Sequence, residues 1–391
     1  MRIVDLSPYG VFPPRSGGHR LVHHTSLGLG ARHEVFVFAM GLRRGDPLRF
    51  RSFVQRPADR YVEYRHVTPL TFLSWLRRRR TGLPPLRASA VLRWTAPAAL
   101  RRELARADVV QVESPWQLEF ARAAASCPVV LVMQNVEARL LAARGISRRL
   151  VALAARVERT ALARADAIVF LSAEDRAAAA ADYGPPGAAV HTCGVGVDTE
   201  EFQPASDAER AAAKTALGLT GPVALFAGSW HLPNRSALDA VRALATRVPG
   251  WSFLVVGSVG RPEETTDRVR VTGPVADVQP YFRAADAALN PMREGGGVNL
   301  KVLEYLAMGL PTVATPFGVR GLEVSDVVQV AEVADFPVAL TALADPHERL
   351  RRGTSARRAA ETRLGWDAVT RLRERILEET IAGRARSPRV A

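Results

Sequence analysis

The chain has 391 residues, of which 48% are hydrophobic, and carries a net charge of +14. That length exceeds one ordinary core and predicts two domains, while no run of about 18 apolar residues exists to span a bilayer. The N-terminus, MRIVDLSPYG, enters a strand-like segment without the charged region and apolar run of a signal peptide, so a cytoplasmic protein is expected. Cys127 and Cys193 stand far apart among apolar or small neighbours, which fits neither a disulfide framework nor a zinc site.

Short β-branched runs alternate with alanine- and leucine-rich stretches of helical period, the pattern of doubly wound α/β units. In the first half the predicted strands are Arg2–Leu6, Val35–Ala39, Val109–Glu113, Val129–Met133, Ala167–Leu171 and Ala189–Thr192. In the second half they are Val223–Ala227, Ser252–Val256, Val269–Thr272, Ala287–Leu289, Thr312–Ala314 and Val327–Val330. Two such sets predict two Rossmann-like domains, with strands apolar on both faces as covered parallel sheets require. Turn residues and a Gly-Pro pair near Gly194–Pro222 place the hinge around Pro204 to Gly221. The expected domains are residues 1–205, 206–365 and a final segment 366–391, in which a helix from Trp366 to about Ala382 precedes a disordered basic tail, GRARSPRVA.

The charge is local. Between Gly41 and Arg102 there are 15 arginines against Asp46, Asp59 and Glu63, a net +12. Within that segment Thr71–Arg80, TFLSWLRRRR, sets Phe72, Leu73, Trp75 and Leu76 beside four arginines. Two readings stay open: a segment resting on anionic lipid at the inner membrane face, or a solvated arginine-rich helix. No zinc-finger, RNP-type or helix-turn-helix pattern accompanies the charge, so nucleic acid is not an expected partner.

Two glycine sites follow predicted strands. After the first strand, Gly17 and Gly18 open a helical pattern that includes His19, where amides can meet an anion; a plain strand-to-helix turn is the alternative. The stretch Asn290–Pro316 carries Gly295, Gly296 and Gly297 into a short amphipathic helix that stops at Gly309. There the N–H groups of Val298, Asn299 and Leu300 are expected to face an anion, with Lys301 in the first turn and Glu304 one turn on. A lysine at the positive end of a helix dipole is disfavoured by roughly 0.3–1 kcal/mol unless an anion reverses the sign. Only Lys214 and Lys301 are lysines in this arginine-rich chain, so Lys301 is singled out as a phosphate ligand and Glu304 as an acceptor for ribose-like hydroxyls. An ordinary Lys301–Glu304 surface pair is the alternative.

P-loop, H-E-x-x-H, G-x-S-x-G and Asp-x-Asp motifs are absent. Gly28-x-Gly30 lacks the third glycine of a dinucleotide fingerprint.

Taken together, GGGVNLKVLEYLAMGLPTVATPFGVRGLE, LFAGSWHLPNRSALDAV, VTGPVADVQPYFRAADAALNP, GVDTEEFQP, LVMQNVEARL and ARADAIVFLSAEDR resemble glycosyltransferase family 4 enzymes of the GT-B fold. The resemblance runs through most of the chain. It implies an α/β, GT-B architecture, in which two Rossmann-like doubly wound domains face each other across a cleft and a C-terminal helix crosses back to the N-terminal domain. It implies a nucleotide-diphosphate sugar as co-substrate, with UDP or GDP expected, a hydroxyl acceptor, retention of anomeric configuration, and no metal or other cofactor. Glu304 matches the second glutamate of the family's E-x7-E motif. Gly296 stands at the first, which resembles a glycine-rich variant with sugar contacts from backbone amides. Ser229 occupies a position where relatives often carry a phosphate-contacting arginine, and Arg235 falls near the other phosphate-contacting base. Gln134 replaces a histidine near the donor sugar. The implied catalytic set is Gly17, Gly18, Lys301 and Arg235, with Glu113, Gln134 and His19 on the acceptor side.

A retaining glycosyltransferase thus leads, ahead of a nucleotide-sugar epimerase or hydrolase of the same fold. A non-catalytic protein docking to membrane or nucleic acid through residues 41–102 is third.

Overall fold

The computed structural model describes residues 1–42, 46, 51–295 and 298–386. The chain folds as two compact units, one of Met1–Val195 joined by the chain from Val369 onward, the other of Gly196–Ala368. The division falls at Val195, ten residues before the expected 205, because the 196–205 stretch belongs with the second unit; there Val197 bridges to Gly365.

The N-terminal unit is built on eight strands: β1 (Arg2–Ser7), β2 (Glu34–Met40), β3 (Phe53–Ala58), β4 (Tyr61–His66), β5 (Val109–Glu113), β6 (Val129–Met133), β7 (Ala167–Phe170) and β8 (Ala189–Thr192). Their spatial order is β3-β4-β2-β1-β5-β6-β7-β8. All neighbours are parallel except β3 against β4. Val4, Val110, Val112, Leu131 and Ile168 are wholly buried, each contributing roughly 1.5–3 kcal/mol relative to an exposed side chain.

Strands β3 and β4 were not among the predicted strands. They lie in the arginine-dense segment, where charge hid the pairing. The hairpin sits at the sheet edge, which tolerates Pro57. Nor is β4 apolar on both faces: Glu63 and Arg65 are fully buried. Glu63 accepts from the amides of Val11 and Phe12 at 2.8 Å each, and Arg65 donates to Glu63 at 2.5 Å, to Asp46 at 2.8 Å and to the Phe12 carbonyl at 2.6 Å. One arginine of the basic segment therefore fastens the loop after β1.

The final helix, Trp366–Arg386, extends four residues beyond the expected Ala382; residues 387–391 of the expected tail lie outside the described chain. From Val369 onward it packs on the N-terminal unit. Arg373 is buried and donates to Gln111 at 3.2 Å, and Thr370 lies where a side chain on Gly28 would stand, 2.6 Å from its Cβ. Gly28 thus serves helix packing.

The second unit has six strands: β9 (Val223–Ala227), β10 (Ser252–Val256), β11 (Val269–Val271), β12 (Ala287–Asn290), β13 (Thr312–Ala314) and β14 (Val328–Val330). They form an all-parallel sheet in the order β11-β10-β9-β12-β13-β14. Strand order reverses at β9/β12 here and at β1/β5 in the first unit. The carboxyl edges at such switch points are where doubly wound sheets bind ligands.

Candidate active site

In the second unit, β9 ends in Ala227 and the chain passes Gly228 and Ser229 before the Leu232–Arg247 helix; β12 ends in Asn290 and leads through Gly295 to the Leu300–Ala307 helix. Both connections leave the sheet at its switch point. Gly295 has φ +136°, a conformation that side chains disfavour. Gly296 and Gly297 lie outside the described residues. The helix that follows buries Val302, Leu303, Tyr305, Leu306 and Ala307. The Tyr305 hydroxyl, wholly buried, accepts from the Ala227 amide at 2.8 Å, pinning the helix to the end of β9.

The helix start departs from expectation in one respect. The Leu300 amide donates to the Val298 carbonyl at 3.1 Å and the Val302 amide to the Asn299 carbonyl at 3.0 Å. A local turn takes up the Leu300 N–H, so of the three expected anion donors it is already committed. Asn299 makes no side-chain cap.

Lys301 is drawn inward. Its Nζ donates to Asn234 Oδ1 at 3.0 Å and lies 4.6 Å from the centre of the Phe226 ring. Burial pushes its pKa down to about 7, with Glu304 opposing the shift. The Asn234 amide in turn donates to the Ser229 carbonyl at 3.0 Å and to Ser229 Oγ at 3.3 Å. Ser229, Asn234 and Lys301 therefore form one linked set, and Glu304, half-buried, follows Lys301 by one helical turn. The sequence reading missed Asn234 and Phe226, since nothing local marks residues so far from Lys301 in the chain.

Arg235 does not join them. Its Nη1 donates to the Val259 carbonyl at 2.9 Å and to Glu264 at 3.0 Å. Arg242 and Arg235 together hold the Glu264 carboxyl below the usual carboxylate range.

In the N-terminal unit the acceptor-side candidates converge. The Tyr9 hydroxyl donates to Gln134 Oε1 at 2.8 Å, and Gln134 Nε2 donates to Glu113 Oε2 at 2.7 Å. His19 stacks obliquely on Tyr9 with ring centres 5.2 Å apart. The Leu21-bearing helix Gly17–Gly30 is capped by Ser16, whose hydroxyl accepts from the His19 amide at 3.5 Å. Gly18 sits so close that a Cβ would stand 2.6 Å from Tyr9 Oη and 3.0 Å from Gln134 Oε1. Burial pushes the Glu113 carboxyl up, while Arg373 and Gln134 restrain it; Asp5, also buried and near Glu113, is raised well above the usual range.

Tyr9, Ser16, Gly18, His19 and Gln134, but not Glu113 or Asp5, line a cavity of ≈ 380 Å³ that also receives Arg78, Ser114, Glu137 and Arg144. Ser114, directly after β5, has φ +118°, costly for a residue other than glycine and a mark of functional sites. Arg78 comes from the Pro69–Thr81 helix, so the basic segment is neither wholly solvated nor wholly at a surface. Leu70 and Leu73 on that helix are nevertheless 51% and 59% exposed, and Trp94 is 89% exposed. Among the described residues no helix is long and apolar enough to cross a membrane, and no three His, Cys, Asp or Glu side chains form a metal-sized group.

Comparison with known proteins agrees with this architecture. A Glycosyltransferase Family 4 model matches residues 15–201, and a Glycosyl transferases group 1 model matches residues 221–345. Over 205 residues the chain is 28% identical to a GDP-mannose-dependent monoacylated alpha-(1-6)-phosphatidylinositol monomannoside mannosyltransferase of Corynebacterium glutamicum, a match to 44% of this chain. It covers 52% of that relative, about half its length. Among solved structures, sucrose-phosphate synthase from Thermosynechococcus elongatus superposes with a TM-score of 0.68 at 16% identity, over 98% of this chain and 100% of its own. Anabaena HepE in complex with UDP and glucose superposes with 0.65 at 16% identity, over 97% and 99%. The trehalose 6-phosphate synthase of Burkholderia multivorans gives 0.66 at 14% identity, over 100% and 99%. By domain content, residues 15–201 match a family 4 glycosyltransferase domain and residues 221–345 a group 1 glycosyltransferase domain, and the fold is GT-B.

Proposed function

We propose that this chain is a retaining glycosyltransferase that moves a hexose-type sugar from a nucleotide diphosphate to a hydroxyl acceptor. The observation that carries the proposal is Lys301: a lysine in the first turn of a glycine-led helix at a sheet switch point, held by Asn234 and depressed toward neutrality by burial. Burial makes the charged ammonium costly, and a bound diphosphate offsets that cost. In this reading Lys301 neutralises the leaving phosphate and Glu304 accepts from the ribose hydroxyls. To the donor the reading also assigns Ser229 and, from the sequence, Gly295, Gly296, Gly297, Val298, Asn299 and Leu300, the last without its amide. Arg235 would have to exchange Glu264 for phosphate to take part. Support for UDP or GDP comes from the relatives: the HepE structure holds UDP, and the Corynebacterium enzyme is named for GDP-mannose.

In the N-terminal unit the proposal keeps Gly17 and Gly18 as amide donors to phosphate, and gives Glu113, Gln134 and His19 to the acceptor. The bond from the anomeric carbon to the diphosphate oxygen breaks, and a bond to the acceptor oxygen forms on the same face. The acceptor proton passes to the departing phosphate oxygen. Stabilising that leaving group is the protein's main electrostatic contribution. Peripheral contact with anionic lipid is also proposed, through exposed Leu70, Leu73 and Trp94 amid the arginines of residues 41–102.

Release of nucleotide diphosphate from UDP- and GDP-sugars, with the anomeric configuration of the product read by NMR, tests the reading. Product of inverted configuration removes the retaining assignment; conversion or hydrolysis of donor that no acceptor redirects favours an epimerase or hydrolase.

A further inference from the structure

The cavity of the N-terminal unit contains two guanidinium groups that no carboxylate among the described residues pairs with. Arg78 Nη1 donates to the Pro8 carbonyl at 3.1 Å, and its guanidinium carbon lies 5.5 Å from the centre of the Tyr9 ring. Arg144 Nη1 donates to the Gly82 carbonyl at 3.1 Å. Elsewhere in the chain arginines find carboxylates readily: Arg139 holds Asp182 at 2.7 Å and Arg164 holds Glu119 at 2.6 Å. Neither Arg78 nor Arg144 has an ion-pair partner among the described residues.

A guanidinium carries five N–H donors, so each of the two retains donors beyond its single carbonyl. Burial lowers the Arg78 pKa, which registers the cost of keeping that charge away from water. Glu137, an acid that lines the same cavity, offsets them only in part: burial and Glu158 push its pKa up to about 7, even though Arg144 and Arg78 pull it down. Glu137 thus carries only part of a negative charge near neutrality, and the cavity keeps an excess of positive charge. Ser114, strained at φ +118°, brings its backbone to the same wall.

We infer that this cavity receives an acceptor through a phosphate group, held by the paired guanidiniums of Arg78 and Arg144. Planar forks of N–H donors match phosphate oxygens two at a time, and a dianion balances both charges. The inference rests on the glycosyltransferase reading for the word acceptor, while phosphate binding itself can be measured apart from any transfer. The phosphate can come from a soluble sugar phosphate or from a lipid headgroup, and one experiment separates the sources.

The full-length chain is titrated with glucose 6-phosphate against glucose, and with phosphatidate-containing vesicles against pure phosphatidylcholine vesicles. UDP and GDP are titrated in parallel. The expected result is that one phosphate-bearing probe binds while its neutral counterpart does not. Arg144→Met and Arg78→Met should each weaken that binding by roughly tenfold or more without changing the affinity for the nucleotide. Preference for glucose 6-phosphate identifies a soluble acceptor, and preference for phosphatidate a lipid one. Equal response to phosphorylated and neutral probes, or unchanged phosphate binding in Arg144→Met, overturns the inference. Arg144 is exposed, so that variant decides the matter even where Arg78→Met fails to fold. Absence of nucleotide binding in the unmodified chain counts against the glycosyltransferase reading instead, and leaves the phosphate arm to decide this one.

Discussion

The Lys301 ammonium donates to Asn234 Oδ1 at 3.0 Å, and the same asparagine returns its Nδ2 to the Ser229 carbonyl at 3.0 Å. Asn234 therefore joins the loop after β9 to the first turn of the Leu300–Ala307 helix, and fixes where the only positive charge of that helix stands. An uncharged partner leaves the charge available to a ligand, whereas a carboxylate would cancel it. Asn234→Asp is expected to weaken nucleotide-diphosphate binding by about tenfold, the scale of one charge-assisted hydrogen bond. Calorimetric titration checks it, and an unchanged affinity removes Asn234 from the site.

Lys301 should also couple stability to pH. Burial lowers its pKa from 10.5 to about 7. Between those values the unfolded chain holds a proton that the folded chain lacks, so stability rises with pH across the window. Below pH 7 both states are protonated and the full cost of burying the charge is present. Lys301→Met is therefore expected to raise Tm at pH 6 and to lose that advantage toward pH 10, while impairing nucleotide binding. Nucleotide affinity of the unmodified chain should fall as pH rises above 7. Scanning calorimetry at both pH values checks the first part; a variant less stable at pH 6 contradicts it.

At Gly18 a single methyl group has nowhere to go. Because its Cβ would lie 2.6 Å from Tyr9 Oη, Gly18→Ala should displace Tyr9 and with it the Gln134–Glu113 pair. Misplacement on this scale costs about 100-fold in turnover. Adding Tyr9→Phe removes the crowded oxygen and should restore part of the rate, an interaction that a double-mutant cycle measures. Strictly additive losses would show that the glycine acts in some other way.

Glu158 is a structural carboxylate in the same unit. Fully buried, it accepts from the Glu137 amide at 2.7 Å, the Ala138 amide at 3.0 Å and the Tyr183 hydroxyl at 2.7 Å. It thus holds the start of the Glu137–Ala143 helix, which carries one wall of the cavity. Glu158→Ala leaves three donors without their acceptor and should cost about 2–4 kcal/mol. Urea unfolding checks this, and a loss under about 1 kcal/mol would mean that water replaces the carboxylate.

Vesicles containing phosphatidylglycerol test the lipid contact. Binding at low salt that fades with added salt, and weakens in Leu73→Asp, is the expected result. No binding at low salt ends that proposal.

What could be read from the chain divides along physical lines. The strands other than β3 and β4 were legible because most are short apolar runs, as in Val129–Met133, and covered sheets admit little else. The β3–β4 hairpin was not, because Arg56, Arg60 and Arg65 look like solvated charge until Glu63 and Asp46 are seen beside Arg65. Lys301 stood out through local helix electrostatics, but its partner Asn234 is set by tertiary contact alone. The same holds for Arg235, whose capture by Glu264 depends on how the loop after β10 folds back. Glu113 and Gln134 were legible as residues at strand ends, while Tyr9, which ties Gln134 to the loop after β1, carried no motif.

The central claim is that the Leu300–Ala307 helix binds a nucleotide diphosphate through Lys301 and Glu304. Thermal shift of the full-length chain with UDP, GDP, ADP and TDP, repeated on Lys301→Ala and Glu304→Ala, tests it most directly. One nucleotide should raise Tm in the unmodified chain, and each substitution should abolish most of that shift while the variants stay folded. A chain that responds to none of the four, or a shift that both variants retain in full, would contradict the account.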